Sequence, residues 1–277
     1  MFQVWGGPVM TPLIQARSLR KVYTHTHWWH KRRELLALDN VDLTIQRGQT
    51  LALVGQSGSG KTTLAMSLVG LERPDSGEIW FEGRNLLAER AGRKTRVGSE
   101  IQLIFQDSAG ALNPRMSAAQ IIEEPLLISR QGNSLERSRF ALEMMDKVSL
   151  PSKWKDRLPH QFSGGQRQRL AIARALVLKP KLLILDEALT GLDLSIQGQI
   201  MNLLLDLQAL DNLTYLYISH NLELAAQVAD EIAVMYQGRI VERANRSEFF
   251  SHTHHPHTQA LLASMPARLA YGAHGGG

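Results

Sequence analysis
The sequence predicts an α/β fold, and three observations predict it. A compact apolar run, Thr50–Val54, reads as a strand that feeds Gly55-Gln56-Ser57-Gly58-Ser59-Gly60-Lys61-Thr62; residues 61–70 then take up helical spacing, with Leu64, Leu68 and Val69 on one side. A second apolar strand, residues 181–185, ends in Asp186-Glu187. Between the two, residues 107–174 turn mostly helical, with breaks expected at Pro114, Pro125, Pro151 and Pro159.

The other elements follow from the same patterns. Residues 1–12 are a loose lead-in, broken by Gly6, Gly7, Pro8 and Pro12. Residues 13–45 alternate enough for short strands, including 38–45, around a polar and aromatic insert at 25–33. A turn at 73–77 precedes a strand at 78–81, and another strand at 100–105 ends at Gln106. Residues 196–210 predict an amphipathic helix, 214–218 a strand and 222–229 a helix. Strands at 231–236 and 239–242 form a hairpin around Gln237-Gly238. A polar, histidine-rich tail follows Ala244, and residues 273–277 are expected to be disordered.

Composition removes several classes. With 277 residues and 44% apolar content the chain can bury a substantial core. It has no cysteine, which excludes a disulfide framework and a thiolate metal site. No apolar run approaches the roughly 20 residues that span a bilayer, and the first dozen residues do not read as a signal peptide. A net charge of +5 suits an ordinary soluble protein, nucleotide phosphates or an anionic membrane surface. No single basic stripe or nucleic-acid module is present, so nucleic acid is not an expected partner.

The run from Gly55 to Thr62 matches the P-loop pattern in full, with a strand before it and a helix after it. Glycine is needed there because backbone N–H groups must wrap a phosphate more closely than a Cβ allows. Lys61 is the candidate for the β- and γ-phosphates and Thr62 for Mg²⁺; Gly55, Gln56, Ser57, Gly58, Ser59, Gly60 and Thr63 complete the candidate nucleotide-phosphate site. Asp186 and Glu187 stand where open α/β sheets bind ligands, at the carboxyl end of a strand. Asp186 is a candidate Mg²⁺ ligand and Glu187 a candidate general base.

Phe162-Ser163-Gly164-Gly165-Gln166 lies upstream of this pair. With that run, the sequence resembles the ATP-binding cassette (ABC) ATPases, whose signature has the form LSGGQ; here Phe162 takes the first place. The resemblance implies a P-loop NTPase (RecA-like) core with an antiparallel β subdomain and an inserted helical subdomain. Residues 13–106 would form the first part of the core, 107–174 the helical subdomain with the signature, 175–245 the second part, and 246–277 a C-terminal tail. It also implies roles: Gln106 as the Q-loop glutamine, a ligand of Mg²⁺ and the attacking water; His220 as the switch histidine; Asp193 as the D-loop aspartate that crosses to a partner; Tyr23 as the aromatic that stacks on adenine. Trp28, Trp29 and His25 are alternatives to Tyr23. Ser163, Gly164, Gly165 and Gln166 would close over ATP held by a second cassette. One departure is Ala188, where the family usually has proline.

The resemblance narrows further. Leu112-Asn113-Pro114-Arg115-Met116, Ile121-Ile122-Glu123-Glu124-Pro125-Leu126 and His255-Pro256-His257-Thr258-Gln259-Ala260-Leu261-Leu262 are similar to the second ATPase subunit of dipeptide, oligopeptide and nickel importers. That implies ATP and Mg²⁺ as cofactors, a paralogous ATPase subunit or a second copy as dimer partner, two transmembrane permease subunits, an extracytoplasmic binding protein, and a place on the cytoplasmic face of the inner membrane. Asp107-Ser108 and Asp186-Glu187-Ala188 lean slightly toward nickel as cargo. The histidines at 25, 27 and 30 and at 252, 254, 255 and 257 can be read as metal ligands or, more simply, as solvated loops. An exporter ATPase and a soluble, non-transport ABC ATPase are the alternatives, without the importer segments to recommend them.

Overall fold
The computed structural model describes residues 12–25, 33–88, 98–106 and 110–264. The lead-in to residue 11, Trp28 and Trp29 with most of their insert, Asp107-Ser108 and residues 273–277 lie outside the described residues.

Among the described residues, ten strands form two sheets. In the smaller, β1 (Ile14–His25) and β2 (Arg33–Ile45) pair antiparallel, followed by β4 (Ser76–Phe81) and β5 (Arg84–Asn85), in the order β2-β1-β4-β5. The expected short strands are therefore two long ones. Their register slips between Ala16 and Leu19, Leu19 and Lys21, and Lys21 and Val22. Ser18 (φ 48°) and Asn40 (φ 54°) take left-handed backbone at these bulges, which breaks the alternation a long strand would otherwise display in sequence.

The larger sheet runs β10-β9-β3-β8-β7-β6, built from β3 (Thr50–Val54), β6 (Ile101–Ile104), β7 (Leu182–Asp186), β8 (Thr214–Ser219), β9 (Glu231–Tyr236) and β10 (Arg239–Asn245). All neighbours are parallel except the β9–β10 hairpin. Its central strands are buried on both faces, which is why they read as unbroken apolar runs. Leu51, Leu53, Leu182, Ile184, Leu216 and Ile218 pack with the small sheet and α1 (Lys61–Leu68). Ala52, Val54, Leu183, Leu185, Tyr215 and Tyr217 point the other way, into a core shared with the helices.

Those helices are α2 (Ala118–Ile128), α3 (Ser134–Lys147), α4 (Gly164–Leu176), α5 (Leu194–Asp211) and α6 (Leu222–Val228). Ser117 with Gln120, Asn133 with Glu136, and Ser163 with Gln166 form capping boxes that start α2, α3 and α4. The break expected at Pro125 does not occur: α2 runs through it. The proline forfeits one helical hydrogen bond, and burial of Ile121, Ile122 and Leu126 on the same helix outweighs that loss. α1 stops at Leu68 rather than at residue 70, where Gly70 turns the chain with φ +75°.

The tail is not loose as far as Ser264. It forms α7 (Arg246–Phe249) and α8 (Pro256–Ala263), with Phe249 and Thr258 fully buried. The Glu242 carboxylate accepts the backbone N–H of His254 at 2.7 Å, and the His257 ring stacks on Tyr236 with centroids 4.2 Å apart.

Candidate active site
The loop after β3 is shaped by what crowds it. A Cβ on Gly55 would lie 2.2 Å from the Met235 carbonyl oxygen, and one on Gly60, where φ is +107°, would lie 2.3 Å from the Ala37 carbonyl oxygen. Gly238 N–H braces the loop from β9's turn by donating to Ser59 O at 2.9 Å. Lys61 is only 5% exposed, and its Nζ donates to Gly55 O at 2.8 Å and Gln56 O at 2.9 Å. Burial pulls the Lys61 ammonium below its usual pKa, opposed by the carboxylates of Glu187 and Asp186. Side chains cap the N-termini of α2, α3, α4, α5 and α6, whereas α1 has no side-chain cap. Its first N–H groups are left to an anion in the loop.

Asp186 ends β7 with 4% exposure. Burial raises its pKa; a hydrogen bond from Thr62 works against that, Glu187 adds to it, and Lys61 lowers it. Its Oδ1 is buried without a hydrogen-bond partner among the described residues. Glu187 then turns with φ +49°, its N–H donating to Ile218 O at 3.0 Å. His220, just beyond β8, puts Nδ1 3.3 Å from Glu187 Oε2.

The loop and the two carboxylates meet in a cleft of about 330 Å³; His220 joins it through Glu187 and is not among its lining residues. Ser57, Gly58, Gly60, Lys61, Thr62 and Thr63 line its floor, Asp186, Glu187 and Gln106 one flank, and Tyr23 the side toward the small sheet. Leu35 and Ala37 also line it and were not singled out from the sequence. Leu35 is the register partner of Tyr23 across β1 and β2, so the signal lay in strand pairing, which the bulges obscure. Gly55 and Ser59 serve the interior of the loop, and Gln56 is exposed.

The signature residues and Asp193 are not in this cleft. Ser163 N–H donates to Gln166 Oε1 at 3.0 Å, and Gln166 N–H to Ser163 Oγ at 3.3 Å, at the exposed start of α4. Phe162 is buried edge-on against Trp154, so the aromatic in leucine's usual place is a core residue. Gly165 fits because α5 leans on it: a Cβ would fall 2.5 Å from Ile196 Cγ2. Asp193 caps α5 by accepting Ile196 N–H at 2.9 Å. The two motifs therefore adjoin each other, away from the chain's own phosphate loop.

A family model described as ABC transporter matches residues 38–190. The chain belongs to the ABC transporter family. It is an ATPase cassette with a P-loop α/β core, an antiparallel sheet and helices inserted between β6 and β7. It is 44% identical over 256 residues to the dipeptide transport ATP-binding protein DppF of Escherichia coli, covering 92% of this chain and 77% of that one. It is 39% identical over 265 residues to the oligopeptide transport ATP-binding protein AppF of Bacillus subtilis, covering 94% and 80%. The dimeric ATP-binding cassette MJ0796, in a post-hydrolysis state bound to ADP and Pi, superposes with a TM-score of 0.75 at 28% identity, covering 84% of this chain and 98% of that one.

Proposed function
We propose that this cassette hydrolyses ATP to drive uptake of di- or oligopeptides through separate membrane subunits. Its likeness to two peptide-transport cassettes over more than nine-tenths of the chain carries the reading. Nickel, the cargo suggested by a few short segments, has less support, since both relatives are named for peptide transport.

Each cleft residue has a role in this reading. Backbone N–H groups of the loop and of α1 hold the phosphates, and Lys61, already desolvated, donates to them. The buried, unpartnered Oδ1 of Asp186 and the Thr62 hydroxyl beside it fit a hard cation, so Thr62, Asp186 and Gln106 would hold Mg²⁺. When bound, Mg²⁺ offsets charge on the phosphate oxygens. Glu187 takes the proton of the attacking water, and His220, at 3.3 Å, orients that carboxylate and reaches the γ-phosphate. Tyr23 stacks on adenine.

The site is completed by a second cassette, a paralogue or another copy. Its Ser163 and Gly165 donate to the γ-phosphate bound here, and Asp193 crosses beside them. The pair sits on the cytoplasmic face of the membrane beneath two permease subunits, which an extracytoplasmic binding protein serves from the other side. Residues 107–174 carry the motion outward. The exposed turn in which Arg115 N–H donates to Asn113 Oδ1 at 3.0 Å is the permease contact we favour. Arg115→Glu is expected to uncouple transport and leave basal ATPase intact; unchanged transport would refute that contact.

Uptake by cells lacking the gene tests the cargo. Loss of labelled dipeptide uptake, rescued by wild type and not by Glu187→Gln, is the expected result. Selective loss of Ni²⁺ uptake would overturn the peptide reading, and no change in either would return the choice to an exporter or a non-transport ATPase.

A further inference from the structure
Lys21 is an unusual surface-strand lysine, because its side chain is only 13% exposed. Its ammonium pairs with Glu72, donates to the Arg73 carbonyl at 2.9 Å, and lies 3.9 Å from Asp75 Oδ1. The backbone on either side is tied to the same turn. Val22 N–H donates to Asp75 Oδ2 at 2.7 Å, and Asp75 N–H donates to Arg20 O at 2.8 Å. That turn follows α1, whose other end begins at the phosphate loop. The same ammonium lies over the Tyr23 ring, 5.3 Å from its centroid.

We infer that Lys21 is a positioning residue for the purine base: it fixes the Tyr23 ring against the turn that follows α1 and leaves the ring's other face to the base. This rests on the reading of Tyr23 as the adenine platform. Two effects combine. The ion pair and two backbone bonds index the platform to the helix that carries the phosphates, so base and phosphate contacts are made at one fixed spacing. The cation also restrains the ring through its π face. The hydrogen bond to Glu72 raises the Lys21 pKa, so the charge persists throughout the neutral range.

The test compares two ligands on the full chain, ATP and inorganic tripolyphosphate, which lacks a base. Lys21→Met is expected to weaken ATP binding and raise KM about three- to tenfold while tripolyphosphate binding and kcat stay near wild type. Lys21→Arg should recover most of the loss, and Glu72→Gln should follow Lys21→Met with a smaller change. Equal loss for both ligands would make Lys21 a general structural residue and overturn the inference, as would unchanged ATP affinity. Tyr23→Ala separates the two layers. If it spares ATP binding, the platform itself is misassigned; if it weakens ATP binding while Lys21→Met does not, only the role of Lys21 fails.

Discussion
The phosphate cleft and the signature surface hold their polar groups in opposite ways. In the cleft, Lys61 and Asp186 are buried, and burial moves both pKa values toward neutrality of charge. Asp186 Oδ1 lacks a partner among the described residues, and α1 lacks a side-chain cap. At the signature, Ser163 is exposed and satisfied by Gln166, and Asp193 is satisfied by Ile196 N–H. The cleft keeps folding energy in reserve for a ligand, whereas the signature is settled in the fold and has only to be presented. One region is built to bind, the other to be bound against.

Substitutions can break or sharpen that contrast. The largest effect is expected from Glu187→Gln, which should lower kcat about 10²- to 10⁴-fold with ATP affinity retained. Steady-state hydrolysis together with nucleotide binding checks it, and wild-type turnover would remove Glu187 as the base. Next comes Ser163→Ala. It should leave ATP binding by the single chain unchanged but cut hydrolysis by roughly ten- to a hundredfold, the scale of one hydrogen bond to a charged group. Weakened binding to the isolated chain would erase the distinction between the two regions. The same variant should lose about 1 kcal/mol of stability as an N-cap, read in urea melts.

Asp186→Asn should abolish hydrolysis, yet without nucleotide and Mg²⁺ it should raise the melting temperature by about 2–4 °C for each kcal/mol of relieved desolvation. The sign follows from linkage. A carboxyl whose folded pKa is raised destabilises the fold once ionised, so its contribution is lost as pH rises through the folded pKa. The variant's gain should therefore grow over that interval and fade in acid. A lower melting temperature at neutral pH would mean that Asp186 is held by partners rather than left waiting. The smallest effect is expected from His257→Ala, a loss of about 0.5–1.5 kcal/mol for one aromatic pair, seen as a small shift in the melt.

Legibility in the sequence followed locality. Residues 55–62, Asp186-Glu187 and Ser163-Gly164-Gly165-Gln166 are contiguous, so their chemistry could be read directly from the chain. Tyr23 came only through the family resemblance, and its neighbour Leu35 was missed because a bulged hairpin brings the two together. The tail helices escaped because Thr258 and Phe249 are buried by distant contacts, not by a periodic apolar face of their own. Pro125 misled for a related reason, since the packing of Ile121, Ile122 and Leu126 decides that helix. Ser117-x-x-Gln120 and Asn133-x-x-Glu136 were readable as helix starts and would have sharpened the helical region.

Strand β9 faces two clients at its far end. Met235 O and Gly238 N–H contact the phosphate loop, while Tyr236, between them, carries the ring of His257. Helix α8 and the loop therefore meet the same strand end, although they lie about two hundred positions apart in the chain. The tail and the nucleotide loop thus share one seat: the residue that carries His257 stands between the two that the loop lies against.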